Sequence, residues 1–169
     1  AERLLHETIE HFGRIDFLIC NAGIWEGGPV ESMSEELWDK TLDINLKGTW
    51  SVCRAAVPFM KKQKFGRIVV VSSTAGQRGE AYVSNYAASK GAQISFTKSL
   101  APELASFGIN VNCVAPGLVD KAQAGAAPWI LGGRNGGRDG TRRQSRPVRA
   151  DPRDWFPCRL SLPVGGALP

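Results

Sequence analysis

The sequence predicts an α/β protein with a parallel β-sheet. Segments with the 3.6-residue spacing of helices alternate with three short apolar segments that are typical of buried strands. One of these, the β-branched run over residues 67–71, has the composition of a central parallel strand. Because strands that alternate with helices pair in parallel, we expect side chains just beyond the strands' carboxyl ends to lie together.

The chain is predicted to begin with a helix and a buried strand. Residues 2–12 carry apolar side chains at helical spacing, and Gly13 is expected to end that helix. Residues 15–20, Ile-Asp-Phe-Leu-Ile-Cys, have the composition of a short buried strand. A tight turn is expected directly after it, formed by Asn21, Ala22 and Gly23.

Two helical stretches are predicted next. After a loop over 24–33, Ser34 is a good first residue for a helix that runs to about Leu42, with two acidic residues in its first turn. A longer helical stretch is expected from 43 to about 62. Pro58 should bend or shorten it, because proline lacks the backbone N–H that a helix interior needs.

The last predicted elements are strand, loop, helix and strand. The β-branched strand is followed by a loop over 72–85 and by an alanine- and serine-rich helix over 86–107, which Gly108 should cap. The strand over 109–114 ends at Pro116 and Gly117.

Composition limits the classes of function. With 169 residues, of which 43% are hydrophobic and 22% charged, the chain is long enough for one globular domain. No apolar run approaches the ~20 residues that span a membrane. The four cysteines form no Cys-x-x-Cys pair, so we expect buried thiols, no metal site and a reducing, cytoplasmic setting.

The last fifty residues differ from the rest. Residues 1–119 hold 12 basic and 12 acidic residues, whereas residues 120–169 hold 9 and 4, with 6 of the 10 prolines and 8 of the 19 glycines. We therefore predict a domain over 1–119 and an arginine-, glycine- and proline-rich tail over 120–169. The tail is expected to be disordered or translated out of frame, and a natural basic tail is the alternative.

Tyr86 and Lys90 are the most informative pair in the chain. They are four residues apart on the predicted helix and hence on one face, with Ser73 thirteen residues before the tyrosine. An unperturbed phenol has a pKa near ~10, too high for a base at neutral pH. An ammonium group at ~4 Å favours the phenolate by at most roughly 4 kcal/mol at an effective dielectric of about 20.

The pair alone is a weak signal, because a tyrosine in the core beside a solvated lysine has the same spacing. The full set of motifs is more specific. Asn45 follows Asn21 by 24 residues, Ser73 follows Asn45 by 28, and Pro116 follows Tyr86 by 30. This ordered set resembles the short-chain dehydrogenase/reductase family, most closely its 3-oxoacyl-(acyl-carrier-protein) reductase-like members.

The resemblance implies a Rossmann-like doubly wound fold and an NAD(P)-dependent oxidoreductase that interconverts a ketone and a secondary alcohol. Tyr86 would be the general acid/base, Lys90 would lower its pKa and hold the nicotinamide ribose, and Ser73 would orient the substrate oxygen. Asn45 would keep a water in the proton relay through a local helix irregularity. Asn21, Ala22 and Gly23 would brace the central sheet beside the adenine side of the cofactor. Pro116 and Gly117 would shape the nicotinamide pocket.

The resemblance covers roughly residues 1–119 and corresponds to the middle of a family member. The glycine-rich pyrophosphate turn and the residue that selects NAD or NADP lie in first strands that are absent here. The fold is therefore expected to be partial, with residues 15–20 left as an open apolar edge. A catalytically inactive fragment or an interaction module is the alternative function.

Other expectations concern partners. The family usually forms homodimers or homotetramers. We expect a small carbonyl or alcohol substrate and neither nucleic acid nor membrane as a partner, although the arginine-rich tail keeps a nucleic-acid-binding arm as a weaker alternative. Tyr82 either lines the substrate loop or is simply exposed, and Ser72 is expected to be structural.

Overall fold

The computed structural model describes residues 1–117, and its helices and strands alternate as predicted. The elements are α1 Glu2–Phe12, β1 Phe17–Cys20, α2 Glu35–Leu42, α3 Gly48–Gln63, β2 Gly66–Val71, α4 Thr74–Arg78, α5 Ser84–Ala105 and β3 Ile109–Val114. A 3₁₀ turn covers Val30–Ser32, and a π-helical turn covers Asp43–Lys47, between α2 and α3. The tail predicted for 120–169 lies outside the described residues.

Local sequence signals determine several helix ends. Gly13 ends α1 in the left-handed conformation, with φ 73°, and its N–H bonds the carbonyl of Ile9. Ser34 begins α2 as predicted, because its hydroxyl accepts a hydrogen bond from the Leu37 N–H at 3.2 Å.

The loop predicted over 72–85 is wrong, because it contains α4 and the first two residues of α5. Ser73 begins α4 by accepting a hydrogen bond from the Ala75 N–H at 3.2 Å. A helix of five residues is too short to show a period in the sequence. Gly108 does not cap α5 directly; it has φ 70° in the turn that leads to β3.

Two smaller corrections concern β1 and α3. The strand predicted over 15–20 begins at Phe17. Pro58 lies inside α3 and does not shorten it, because the helix continues to Gln63. The neighbouring Met60 is completely buried, so packing holds the last turn of α3 against the sheet.

The sheet is parallel, with strand order β1-β2-β3, which confirms the predicted fold class. The register pairs Leu18 with Ile68, and Ile68 with Val111. One face of the sheet therefore carries the buried side chains that α3 and α5 cover, among them Cys20, Ile68, Val70, Val111 and Cys113.

The opposite face of the sheet is open in the described part of the chain. Phe17 and Ile19 of β1 are 68% and 58% exposed, and the register places Ile19 beside Val69. Asn110 and Asn112 of β3 are exposed on the same face. Within residues 1–117, β1 also pairs with β2 alone and so forms an apolar edge strand, as expected from the sequence.

Candidate active site

The four candidate catalytic residues lie near the carboxyl ends of β1 and β2. Asn45 comes from the π-helical turn, Ser73 from the end of β2, and Tyr86 and Lys90 from the first two turns of α5. The parallel sheet is the reason for this placement, since each crossover returns the chain to the same edge.

Asn45 is completely buried and joins a loop to a helix. Its Oδ1 accepts a hydrogen bond from the Ile24 N–H at 2.8 Å. Its Nδ2 donates to the Ile24 carbonyl and to the Ser89 hydroxyl, both at 3.0 Å. The amide thus holds the chain directly after Asn21–Gly23 against α5. These three residues form an irregular segment and not the tight turn that the sequence predicted.

The helix irregularity at Asn45 is present as a π-helical turn. The Gly48 N–H bonds the Asp43 carbonyl, five residues back, instead of a carbonyl four residues back. The Asn45 carbonyl accepts hydrogen bonds from the Thr49 hydroxyl and from Gln93 Nε2, both at 2.7 Å. Single π-helical turns of this kind often occur at functional sites.

Lys90 is 4% exposed, and its ammonium group donates to the Val71 carbonyl at 2.8 Å. Burial lowers the pKa of Lys90, and interaction with Cys113 raises it by a smaller amount. The Lys90 ammonium lies 5.6 Å from the centre of the Tyr86 ring. The predicted proximity of the two side chains is therefore present.

The pKa of Tyr86 is raised, whereas the sequence predicted a lowering by Lys90. The largest cause is burial of the phenol; hydrogen bonding with Ser73 lowers the pKa, and Glu80 raises it. The Lys90 ammonium is directed to the Val71 carbonyl, which sequence spacing alone could not reveal.

Ser73 has two neighbours that matter for the site. Its hydroxyl caps α4 and interacts with the phenol of Tyr86. Ser72, by contrast, is buried and donates to the Lys90 carbonyl at 2.7 Å. This contact agrees with the structural role predicted for Ser72. Tyr82 is 71% exposed and has a positive φ of 65°.

The candidate cofactor residues lie on both sides of this group. Asn21, Ala22 and Gly23 are exposed. A Cβ atom at Gly23 would lie 3.0 Å from Asn45 Oδ1 and 3.5 Å from Lys90 Nζ, so this segment passes directly beside both side chains. The Pro116 carbonyl accepts a hydrogen bond from the Thr74 N–H at 3.1 Å, which places Pro116 and Gly117 at the start of α4.

These residues fit one half of a nicotinamide cofactor. The Lys90 ammonium and the exposed, side-chain-free Gly23 would leave room and a donor for ribose hydroxyls. The described residues contain no glycine-rich turn at a helix N-terminus that would hold a pyrophosphate. Within residues 1–117, the groups present would therefore suit the nicotinamide end of such a cofactor and not its pyrophosphate.

Two surface clefts among residues 1–117 lie outside the candidate site. A cleft of about 620 Å³ lies between α1 and α3, and its lining includes His6 and Arg54. A smaller cleft of about 330 Å³ lies between α4 and α5, lined by residues that include Gln77 and Lys98. Among residues 1–117, no cluster of three metal-ligating side chains occurs, and no helix is long and apolar enough to cross a membrane.

Sequence reasoning missed the polar side chains on the buried face of α5. These residues recur at helical spacing on that face and are all nearly or completely buried: Asn85, Ser89, Gln93 and Thr97. The signal was present, because a helix that packs on a sheet normally presents apolar side chains at these positions. Such polar positions indicate internal hydrogen bonding.

Comparison with known proteins agrees with this geometry. A 3-oxoacyl-(acyl-carrier-protein) reductase FabG of Thermotoga maritima is 44% identical over 119 residues, which are 70% of this chain and 48% of the relative. A 3-oxoacyl-(acyl-carrier-protein) reductase of Synechocystis sp. is 42% identical over the same shares. The chain thus spans about half the length of the curated relatives it matches.

A solved structure is similar as well. The crystal structure of NAD⁺-bound xylitol dehydrogenase matches with a TM-score of 0.66 and 36% identity, over 68% of this chain and 44% of that one. The model of the family described as short chain dehydrogenase matches residues 1–127, three quarters of the sequence. The chain therefore belongs to the short-chain dehydrogenase family.

Proposed function

We propose that the protein is an NAD(P)-dependent oxidoreductase that interconverts a ketone and a secondary alcohol by hydride transfer. The observation that carries the proposal is the convergence of Tyr86, Ser73 and Lys90 at the carboxyl edge of the sheet. A phenol with a hydroxyl on one side and an ammonium on the other suits proton transfer to a carbonyl oxygen.

The names of the relatives support an exchange between a carbonyl and an alcohol. The names of the matching proteins describe a reductase of a 3-oxoacyl group and a dehydrogenase of an alcohol. Reduction of a carbonyl and oxidation of an alcohol are the two directions of one exchange. A small carbonyl or alcohol substrate is the element common to both names.

The roles of the side chains follow from their positions. The Tyr86 hydroxyl donates its proton to the substrate oxygen during reduction and becomes a phenolate; during oxidation the phenolate takes the alcohol proton. The Ser73 hydroxyl donates a hydrogen bond to the same oxygen and stabilises its developing charge. When bound, a nicotinamide cofactor would supply the hydride in reduction and accept it in oxidation.

The raised pKa of Tyr86 has a consequence for the resting enzyme. Because burial is its largest cause, the phenol is neutral at pH 7 and is ready to act as the acid in reduction. Oxidation requires the phenolate. A movement of the Lys90 ammonium from the Val71 carbonyl towards the ribose and the phenol would favour that form.

The cofactor is NAD or NADP. Asn21, Ala22 and Gly23 would border it beside Lys90, and Pro116 and Gly117 would shape the nicotinamide pocket. We also propose a homodimer or homotetramer, as is usual for the family.

The test compares the 169-residue chain with a chimera in which residues 1–117 replace the matching segment of the Thermotoga maritima reductase, so that the relative supplies both ends. Titration calorimetry should show NAD(P)H binding by the chimera and none by the 169-residue chain, because residues 1–117 contain no glycine-rich turn at a helix N-terminus for a pyrophosphate. In the chimera, Tyr86→Phe should lower kcat at least about 10²-fold with little change in cofactor affinity.

The matched control is Tyr82→Phe, which removes a hydroxyl from an exposed tyrosine four residues away and should leave kcat nearly unchanged. Turnover by Tyr86→Phe at the parent rate would disprove the acid/base role. A folded chimera that binds cofactor but reduces no carbonyl in a panel of 3-oxoacyl thioesters and keto sugars would favour the alternative, a non-catalytic module.

A further inference from the structure

Gln93 is a buried polar residue that the proposed chemistry does not use. It lies on α5, seven residues after Tyr86 and three after Lys90, and its side chain is completely buried. Both hydrogens of its amide are committed: Nε2 donates to the Asn45 carbonyl at 2.7 Å and to the Thr49 hydroxyl at 2.8 Å. Its Oε1 has no hydrogen-bond partner, so the side chain is oriented by its donors.

The acceptor of Gln93 lies within the π-helical turn. The backbone bonding of this turn is shifted by one residue, as the Gly48 N–H bond to the Asp43 carbonyl demonstrates. Asn45 is completely buried, and a buried carbonyl costs free energy unless it accepts a hydrogen bond. Thr49 and Gln93 both donate to the Asn45 carbonyl, and Gln93 does so from α5, 48 residues further along the chain.

From Asn45 the contacts lead to the catalytic group. The Asn45 amide holds both backbone groups of Ile24 and also donates to Ser89, whose hydroxyl donates to the Tyr86 carbonyl at 2.8 Å. The residue before Ile24 is Gly23, which passes beside Lys90 Nζ. A shift of the π-helical turn would therefore move the Gly23 segment relative to Lys90.

We propose that Gln93 is a positioning residue of this site: its amide fixes the π-helical turn, so that Asn45 holds the Asn21–Gly23 segment beside Lys90. The inference rests on the proposed function for its catalytic consequence only. Its structural consequence is independent of turnover, since it concerns the backbone over 43–48 and 21–25. Gln93 touches no reacting atom and acts through Asn45.

The first measurement is amide hydrogen exchange on the 169-residue chain. Gln93→Met keeps the length of the side chain and removes both donors, so exchange over 43–48 and 21–25 should rise about fivefold or more. Thr97→Val is the matched control, because Thr97 is equally buried one turn further along α5 and its hydroxyl bonds only the helix backbone. It should leave exchange in both segments unchanged.

The second measurement is steady-state kinetics in the chimera described above. Gln93→Met should lower kcat about tenfold and also raise the KM for the cofactor, because the displaced segment over 21–23 and Lys90 border both the reacting groups and the cofactor. Thr97→Val should change neither. Absence of turnover in the unsubstituted chimera would argue against the proposed function, whereas the exchange experiment would still decide the role of Gln93.

Equal exchange in Gln93→Met and the parent over 43–48 and 21–25, or an equal rise in Thr97→Val, would overturn the proposal. Unchanged kcat in Gln93→Met would overturn its catalytic part. If Gln93→Met does not fold, Thr49→Val decides, because it removes the hydroxyl that accepts from Gln93 and donates to Asn45. Faster exchange over 43–48 and 21–25 would then support the proposal, and unchanged exchange would reject it.

Discussion

At the scale of single residues, the candidate site contains Lys90, an ionisable side chain that is buried in the fold. Lys90 is 4% exposed, and its ammonium group donates a hydrogen bond to the Val71 carbonyl. Its pKa is lowered, chiefly by burial. A group whose charged form is disfavoured in the folded state makes stability depend on pH, and the sign of that dependence can be tested.

We predict that Lys90 makes the free energy of unfolding rise with pH below 10.5. Between its lowered folded pKa and the unfolded value of 10.5, the unfolded chain binds more protons, so the folded state gains with rising pH. Each pKa unit of lowering adds about 1.4 kcal/mol over that window.

The measurement is urea unfolding of the parent chain, Lys90→Met and Lys98→Met between pH 7 and 10. The free energy of unfolding of the parent should increase relative to that of Lys90→Met as the pH rises. Lys98 is an exposed lysine on the same helix, and its substitution should leave the pH dependence as it is. Parallel curves for the parent and Lys90→Met would contradict the prediction.

At the scale of elements, the close approach of α4 and α5 holds Ser73 against Tyr86. A Cβ atom at Gly76 would lie 2.5 Å from the Lys90 carbonyl carbon and 2.6 Å from the Gly91 nitrogen. Both contacts are with backbone, which cannot move aside as a flexible side chain would. Glycine at 76 therefore allows the two helices to meet at the residues that carry the chemistry.

We predict that Gly76→Ala destabilises the fold by roughly 1–3 kcal/mol, since overpacking against backbone outweighs the gain in helix propensity. The control is Gly48→Ala, where the added Cβ would meet only the Asp43 carbonyl oxygen, at an ordinary 3.6 Å. It should be neutral or stabilising by up to ~1 kcal/mol. Urea unfolding measures the stability of both variants. Equal free energies of unfolding for Gly76→Ala and Gly48→Ala would contradict the prediction and show that α4 can move away from α5.

At the scale of the whole molecule, the sheet is covered on one face only within residues 1–117. Phe17 and Ile19 lie exposed on the open face of an edge strand that has one partner. A strand with unpaired backbone groups and exposed apolar side chains is a template for association. The described elements thus bury a core and leave a second apolar surface.

We predict that the 169-residue chain self-associates in a concentration-dependent way through β1 and that Ile19→Lys reduces this association. A charge on an edge strand opposes strand pairing. Val30→Lys is the control, because Val30 is 75% exposed but lies in the 3₁₀ turn away from the sheet. Sedimentation velocity should give a smaller average mass for Ile19→Lys alone, and equal masses for both variants would rule out β1 as the contact.

Much of the fold and most residues of the candidate site could be predicted from the sequence. Segments with helical spacing alternate with short apolar segments, and this alternation predicted the parallel sheet. Helices and buried strands differ in the spacing and run length of their apolar residues. Gly13 and Ser34 predicted helix ends, since left-handed backbone and side-chain caps are local effects. The spacing of Asn45, Ser73, Tyr86 and Lys90 indicated the family, which the comparisons confirm.

The tertiary structure decided what depends on contacts between distant segments. Burial of the phenol in the folded chain raises the pKa of Tyr86, and the Lys90 ammonium bonds the Val71 carbonyl; neither follows from spacing along the helix. The hydrogen bond from Gln93 to the Asn45 carbonyl joins α5 to the π-helical turn, 48 residues earlier in the chain, and spacing along the sequence did not predict it. By itself the sequence determined the elements and the chemical groups, because those are set by local spacing. Their charge states and positioning depend on burial and on hydrogen bonds that exist only after the sheet has formed.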